Sequence, residues 1–245
     1  MGVKTNRSIK VNFFWRVLER FGAQGISLVV SLILARLLDP EVYGTIALVT
    51  VFITILQVFV DSGLGNALIQ KKEVDDVDFS SVFFFNIGFG AVLYFVLYFL
   101  APYIATFYGL PELVLIIRVL GLIVPVSSLK NVQQAYISRK MLFKRFFVST
   151  IGGTIFSAIL GIVLAYNKCG VWALVILNLT NIFISTLILW VSLDWKPKLL
   201  FSWKRLKTLL SFGWKLLVGR LIETVYSECY ALIIGKKYSS SICYE

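Results

Sequence analysis

Histidine is absent from the 245 residues, and cysteine occurs only at Cys169, Cys229 and Cys243. An odd number of thiols without metal-ligand spacing does not make a disulfide framework, and the lack of histidine removes a conventional zinc site. Charge is also scarce. Only 15% of residues are charged, 58% are hydrophobic, and mean hydropathy is +0.85. Soluble domains run at about 45–50% apolar and about 25% charged, so this composition is that of an integral membrane protein. Acids are the scarcer sign, 13 Asp and Glu against 24 Lys and Arg, for a net charge of +11. Such a balance would suit nucleic acid. The cations sit in short loops between apolar runs, however, where membrane topology accounts for them, and no nucleic-acid partner is expected. No nucleophile–base pair, phosphate-cradling glycine loop or metal cluster is legible. The chain therefore reads as a non-enzyme with no cofactor and no metal.

What the sequence does hold is a series of apolar runs, each near the roughly 20 residues of a membrane crossing. They predict an all-α polytopic membrane protein of about seven transmembrane helices, at 12–38, 44–69, 79–107, 112–137, 146–166, 170–193 and 208–235. Helix one stops at Asp39-Pro40, since proline cannot continue a helix and its predecessor is pushed out of the α region. It is too long and too charged for a signal peptide, and no small-residue cleavage site follows it. Pro125 is expected to kink helix four. Gly152, Gly153 and Gly161 allow close packing of helix five. The Phe-rich run at 82–85 is a lipid-facing or packing surface. The expected organisation is a six-helix lobe over 1–193, a basic connection over 194–207, and the first helix of a second lobe over 208–245.

Polar residues recur on single faces of these helices. Helix one carries Arg16, Arg20, Gln24, Ser27 and Ser31; helix two carries Thr50, Thr54, Gln57 and Asp61; helix six carries Asn178, Asn181 and Ser185. Lipid cannot satisfy such stripes, so they turn toward protein or water and predict a bundle with a polar interior. Loop charge sets the orientation. Lys4, Arg7, Lys10, Lys71, Lys72, Arg139, Lys140, Lys144, Arg145, Lys196, Lys198, Lys204, Arg205 and Lys207 fall on one side; Lys168, with Arg36 at a helix end, falls on the other. The basic side, with the N-terminus, is expected to be cytoplasmic.

Helices one and seven read alike. Phe14-Trp15-Arg16-Val17-Leu18 compares with Gly213-Trp214-Lys215-Leu216-Leu217, and Ala35-Arg36-Leu37-Leu38 with Gly235-Lys236-Lys237-Tyr238. Weak similarity of this kind marks transporters built from repeats.

The segments ARLLDPEVYG at 35–44, DSGLGNALIQKK at 61–72 and Ser211-Phe212-Gly213-Trp214-Lys215 resemble the polysaccharide transporter family of bacterial flippases. That family lies within the multidrug/oligosaccharidyl-lipid/polysaccharide exporter superfamily, and the resemblance is nearest to colanic-acid exporter-like members. It implies two six-helix lobes around a central cavity that moves an undecaprenyl-diphosphate-linked oligosaccharide across the inner membrane. The implied partners are that lipid-linked oligosaccharide, membrane lipids and the polysaccharide polymerase machinery. Members have twelve or more helices, so a chain with about seven is expected to be a truncated form.

A diphosphate headgroup needs fixed cations, for which guanidinium is well suited. The candidates are Arg16, Arg20, Lys215 and Arg220 near the cytoplasmic helix ends, then Arg118 and Lys130 on helix four, with Gln24 as a polar contact. Asp61 and Glu223 would balance these charges or couple transport to an ion. Simpler readings stand beside these. Arg16, Arg20 and Lys215 can snorkel to the interface. Arg220 and Glu223 can form a local pair, Asp61-Ser62-Gly63 can be a break in helix two, and the Asn178 face can be interhelical glue. The basic loops are topology signals first and anionic-lipid contacts second. Rivals to the flippase are a non-transporting truncated fragment, a half-transporter that dimerises, and a multidrug antiporter, which would favour acidic cavity residues.

Overall fold

The computed structural model describes the backbone of residues 2–61 and 63–237, and the side chains of residues 11–12, 14–61 and 63–228. All regular structure there is helical: α1 Gly2–Leu37, α2 Pro40–Asp61, α3 Leu64–Gln70, α4 Asp76–Tyr108, α5 Leu113–Leu120, α6 Ile123–Lys140, α7 Phe143–Tyr166, α8 Val171–Ser192 and α9 Trp203–Lys237. The all-α polytopic expectation holds. The side chains of Lys4, Arg7, Lys10, Ser62, Cys229 and Cys243, and the 235–238 leg of the repeat, lie outside the described side chains.

Six stretches among the described residues are long and apolar enough to cross a membrane: Phe14–Leu37, Pro40–Gln70, Asp76–Tyr108, Leu113–Lys140, Phe143–Tyr166 and Val171–Ser192. Helix α9, expected as a seventh span, is longer than any of these but is not one of the six. Lys215, Arg220, Glu223 and Glu228 interrupt its apolar run.

Two crossings are broken helices. The first breaks between α2 and α3, where Gly63 takes φ +66°. The second breaks between α5 and α6 at Gly121-Leu122, upstream of Pro125 rather than at it. Pro125 has no N–H for the Gly121 carbonyl. Val124 N–H donates to that carbonyl instead, at 3.0 Å, and the helix restarts with proline in its first turn.

Small residues set the helix contacts. A Cβ on Gly153 would lie 2.8 Å from Ser185 Cβ, and one on Gly161 2.5 Å from Leu177 Cδ1, so α7 and α8 touch along the expected glycines. Helix α1 leans on α7, α8 on α6, and α6 on α4, while α2 lies between α6 and α9. The Phe-rich run is packing surface at Val82 and Phe83, which are buried against Trp190 and Trp195. Lipid-facing character falls further along α4, where Val92, Phe95, Val96, Phe99 and Tyr103 are exposed.

At the basic end the loop cations are structural as well as topological. Arg139 reaches from α6 to the C-terminus of α3, where Nη1 donates to the carbonyls of Leu68 (3.0 Å), Ile69 (3.0 Å) and Lys71 (2.6 Å) and Nη2 to that of Lys72 (2.8 Å). Those of Leu68, Ile69 and the C-cap Lys71 are carbonyls that the end of α3 leaves unpaired. A lysine has one compact ammonium in place of the planar fork and cannot span the same set. Arg139→Lys is expected to cost about 1.5–3 kcal/mol, one or two charge-assisted hydrogen bonds. The check is thermal unfolding in detergent, where an unchanged midpoint would remove Arg139 from this role.

The expected 194–207 connection ends earlier, at residue 202, because α9 begins at Trp203, and it is docked rather than loose. Trp195 is buried between Phe79, Phe83 and Tyr136 at ring separations of 5.6, 6.4 and 5.8 Å. The amides of Lys198 and Ser202 donate to Ser80 Oγ and Ser81 Oγ at 3.1 and 2.9 Å. Lys198 pairs with Asp76 at 2.6 Å and Arg205 with Asp75 at 2.9 Å, so the acidic start of α4 receives the basic connection and the first turn of α9. The Asp75 carboxylate, ahead of that of Asp78, holds Arg205 above its ordinary pKa.

Candidate functional site: a polar cleft between α1, α6 and α9

The site begins at the α2–α3 break. A Cβ on Gly63 would stand 2.4 Å from the carbonyl oxygen of Gly213, so α9 crosses the joint backbone to backbone. The segments 61–64 and 211–215, far apart in sequence, thus meet in space. Seven residues beyond Gly213 is two helical turns, which returns the chain to the same face and presents Arg220 to Asp61. Arg220 Nη1 lies 3.4 Å from Asp61 Oδ2. Asn131 Nδ2 from α6 donates to Asp61 Oδ1 at 2.8 Å and to the Val60 carbonyl at 3.3 Å.

Around this pair opens a cleft of about 240 Å³ lined by Arg16, Asp61, Asn66, Asn131, Gln134, Ser138 and Arg220, with Ile69 and Phe146 among its apolar walls. Arg16 enters from α1 with its guanidinium 5.1 Å from the Phe146 ring centre and 5.6 Å from that of Phe143. Its Nη1 is 3.2 Å from Glu19, whose side chain is only 10% exposed. A guanidinium carries five N–H donors, and each of these arginines spends a single nitrogen on its carboxylate. Asp61 and Arg220 are 49% and 52% exposed, so their pair faces the open cleft. The arrangement offers an anion two forked donors from different helices, with amide and hydroxyl groups between them.

The structure thus joins Arg16, Asp61 and Arg220 and leaves the other candidates elsewhere. Arg20 and Gln24 are exposed on α1 and line a neighbouring groove with Glu19, Phe21 and Ala23. Lys130 donates to Ser185 Oγ at 2.8 Å, inside the bundle and within the electrostatic reach of Glu19. Arg118 stacks over Tyr98, 4.1 Å from its ring centre, on α5. Lys215 and Glu223 are exposed on α9 outside the cleft. The ion pair of Arg220 crosses to Asp61 instead of running to Glu223 along the helix. The chain breaks here between α2 and α3, and Asp61 also lines the cleft.

Sequence reasoning missed Asn66, Asn131, Gln134 and Ser138 in the cleft lining, and Glu19 behind Arg16. A signal existed for three of them, because Asn131, Gln134 and Ser138 recur at spacings of three and four and share one face of α6.

The chain matches the family described as polysaccharide biosynthesis protein over residues 33–243. It is 25% identical over 234 residues to the succinoglycan biosynthesis transport protein ExoT of Rhizobium meliloti (strain 1021), covering 94% of this chain and 47% of that protein. It is 25% identical over 182 residues to the teichuronic acid biosynthesis protein TuaB of Bacillus subtilis (strain 168), covering 74% of this chain and 38% of that one. To the lipopolysaccharide biosynthesis protein WzxC of Escherichia coli (strain K12) it is 27% identical over 108 residues, 44% of this chain and 22% of that one. The chain spans less than half the length of each of these relatives. No solved structure matches it. With a family match over residues 33–243 and six stretches among the described residues long and apolar enough to cross a membrane, the chain belongs to the polysaccharide biosynthesis protein family as a polytopic membrane protein.

Proposed function

We propose that this chain takes part in flipping an undecaprenyl-diphosphate-linked oligosaccharide across the bacterial inner membrane for surface-polysaccharide synthesis. In this reading the basic end, with the N-terminus, faces the cytoplasm. The diphosphate lies in the Arg16–Asp61–Arg220 cleft, the isoprenoid tail stays in lipid, and access alternates between the two sides by rocking of packed helices. The observation that carries the proposal is the convergence of two guanidiniums, from α1 and α9, on one polar cleft inside a bundle of apolar crossings. Charges at membrane depth are costly and mark substrate or ion paths, and bidentate guanidinium contacts suit phosphate oxygens. The transport role printed in the name of ExoT supports the same direction. An antiporter for cationic drugs is disfavoured, because the cleft lining exposes two arginines and one carboxylate, Asp61, while Glu19 is buried behind Arg16.

The test is complementation. This chain is expressed in a strain lacking its own polysaccharide flippase, with its membrane insertion verified, and surface polymer is measured. Restored polymer is the expected result. Inserted chain without polymer would sink the claim that this polypeptide transports by itself and would favour the non-transporting reading.

A further inference from the structure

The connection before α9 has one face that the lobe does not use. Lys198 and Ser202 are tied through their amides to Ser80 and Ser81 in the second turn of α4. At 1.5 Å per residue this places the intervening residues about 6–8 Å inside the start of that membrane-crossing helix. Between and beyond those ties the side chains point outward. Leu199 is 93% exposed, Leu200 43%, Phe201 55% and Trp203 60%, and the Phe201 and Trp203 rings stack on each other. Water would meet four large apolar side chains in five residues, held by a docked backbone that cannot fold them away. Directly after them Lys204 and Lys207 are exposed and enter no ion pair among the described residues, unlike Lys198 and Arg205.

Aromatic and apolar side chains at a helix end, followed by unpaired cations, match a bilayer interface of negative charge. Tryptophan settles at headgroup level, and lysine ammoniums gain most near anionic headgroups. We propose that residues 199–203 form an interfacial anchor inserted into an anionic leaflet, with Lys204 and Lys207 on the lipid phosphates. The anchor ties the connection to the bilayer on one face while Trp195 ties it to the lobe on the other, so that α9 starts from a point fixed in depth. This inference is independent of what the cleft binds.

The experiment is site-directed spin labelling of the 245-residue chain in liposomes, in a background with Cys169, Cys229 and Cys243 replaced by serine. Labels go at Leu199→Cys and, as a water-exposed reference on the neighbouring loop, at Glu73→Cys. Accessibility to oxygen is compared with accessibility to a polar nickel chelate. The expected result is an oxygen-to-nickel ratio several-fold higher at position 199 than at 73. It should increase further when phosphatidylglycerol replaces part of a phosphatidylcholine bilayer. A label at 199 that nickel reaches as readily as at 73 would overturn the anchor. A label shielded from both reagents would show protein covering the face and overturn it too. Insertion equal in neutral and anionic bilayers would overturn the role of Lys204 and Lys207. Because Leu199 makes almost no packing contact, its replacement leaves the fold intact.

Discussion

Replacing Gly63 by valine is expected to detach α9 from the α2–α3 joint and to lower the unfolding temperature by on the order of 10 °C. Two independent costs add. Gly63 sits at φ +66°, where a side chain costs about 1–2 kcal/mol and a β-branched one is a still rarer occupant. Its new Cβ would also stand 2.4 Å from the Gly213 carbonyl oxygen and 3.0 Å from the Gly213 Cα. Those are backbone atoms of a long helix, so no side chain can swing aside. Overpacking typically costs about 1–3 kcal/mol, giving about 2–5 kcal/mol together. For a chain of this size each kcal/mol moves the midpoint by about 2–4 °C. Alanine at the same position should give a smaller loss in the same direction. The measurement is circular dichroism of the detergent-solubilised protein during heating. It is paired with trapping of Asp61→Cys and Arg220→Cys by a short bifunctional thiol crosslinker, which should span the pair with Gly63 present and fail with valine. A valine variant that traps and melts like its parent would show that the crossing is not held at Gly63.

The same crossing marks where the sequence stopped being legible. Six of the seven expected spans could be read from it because membrane helices are selected by a local quantity, the length of an apolar run. The end of the first helix was likewise written in Asp39-Pro40, and α1 stops at Leu37. Local signals also told that Gly153 and Gly161 would be contacts, since a missing side chain in a membrane helix has few other uses. What could not be read was which polar residues share a space. The repeat aligns Arg16 with Lys215, yet the cleft takes Arg220 and leaves Lys215 outside. That choice depends on the angle at which α9 crosses Gly63, a property of two backbones rather than of either segment. Arg139 was legible as a positive loop charge, but its four carbonyl partners arise only because α6 ends beside α3. Glu19 was visible as an acid on an otherwise basic helix face. Only the packing of α1 on α7 shows that it is buried and holds Arg16.

If the cleft holds a diphosphate, Arg220→Ala and Arg16→Ala should each weaken binding of undecaprenyl diphosphate to the purified chain in nanodiscs by about 2- to 100-fold. Asp61→Asn should strengthen it. The signs follow from what each group does in the empty cleft. Arg220 is held by one contact of 3.4 Å to a carboxylate that is itself 49% exposed. An exposed ion pair of that kind contributes about 0.2–1 kcal/mol. A guanidinium on a phosphate contributes about 1.5–3 kcal/mol for each charge-assisted hydrogen bond, so the ligand wins the exchange. Removing Arg220 forfeits that difference at about 1.4 kcal/mol per tenfold. Removing the Asp61 charge frees Arg220 beforehand and takes a like charge away from the phosphate. Asn at position 61 still offers an oxygen to Asn131, so the helix joint is kept. The gain is bounded by the strength of the pair, about fivefold at 1 kcal/mol. Arg20→Ala serves as the control, because Arg20 lines the neighbouring groove and should leave affinity unchanged. Half-open charges are screened over about 8 Å at physiological salt, so the affinity of the parent should fall with added salt and that of the double arginine variant should not. Undecaprenol, which has the tail and no phosphate, should bind parent and variants alike. Weaker binding in Asp61→Asn, or equal affinity of the parent for undecaprenol and its diphosphate, would show that the cleft does not recognise an anion.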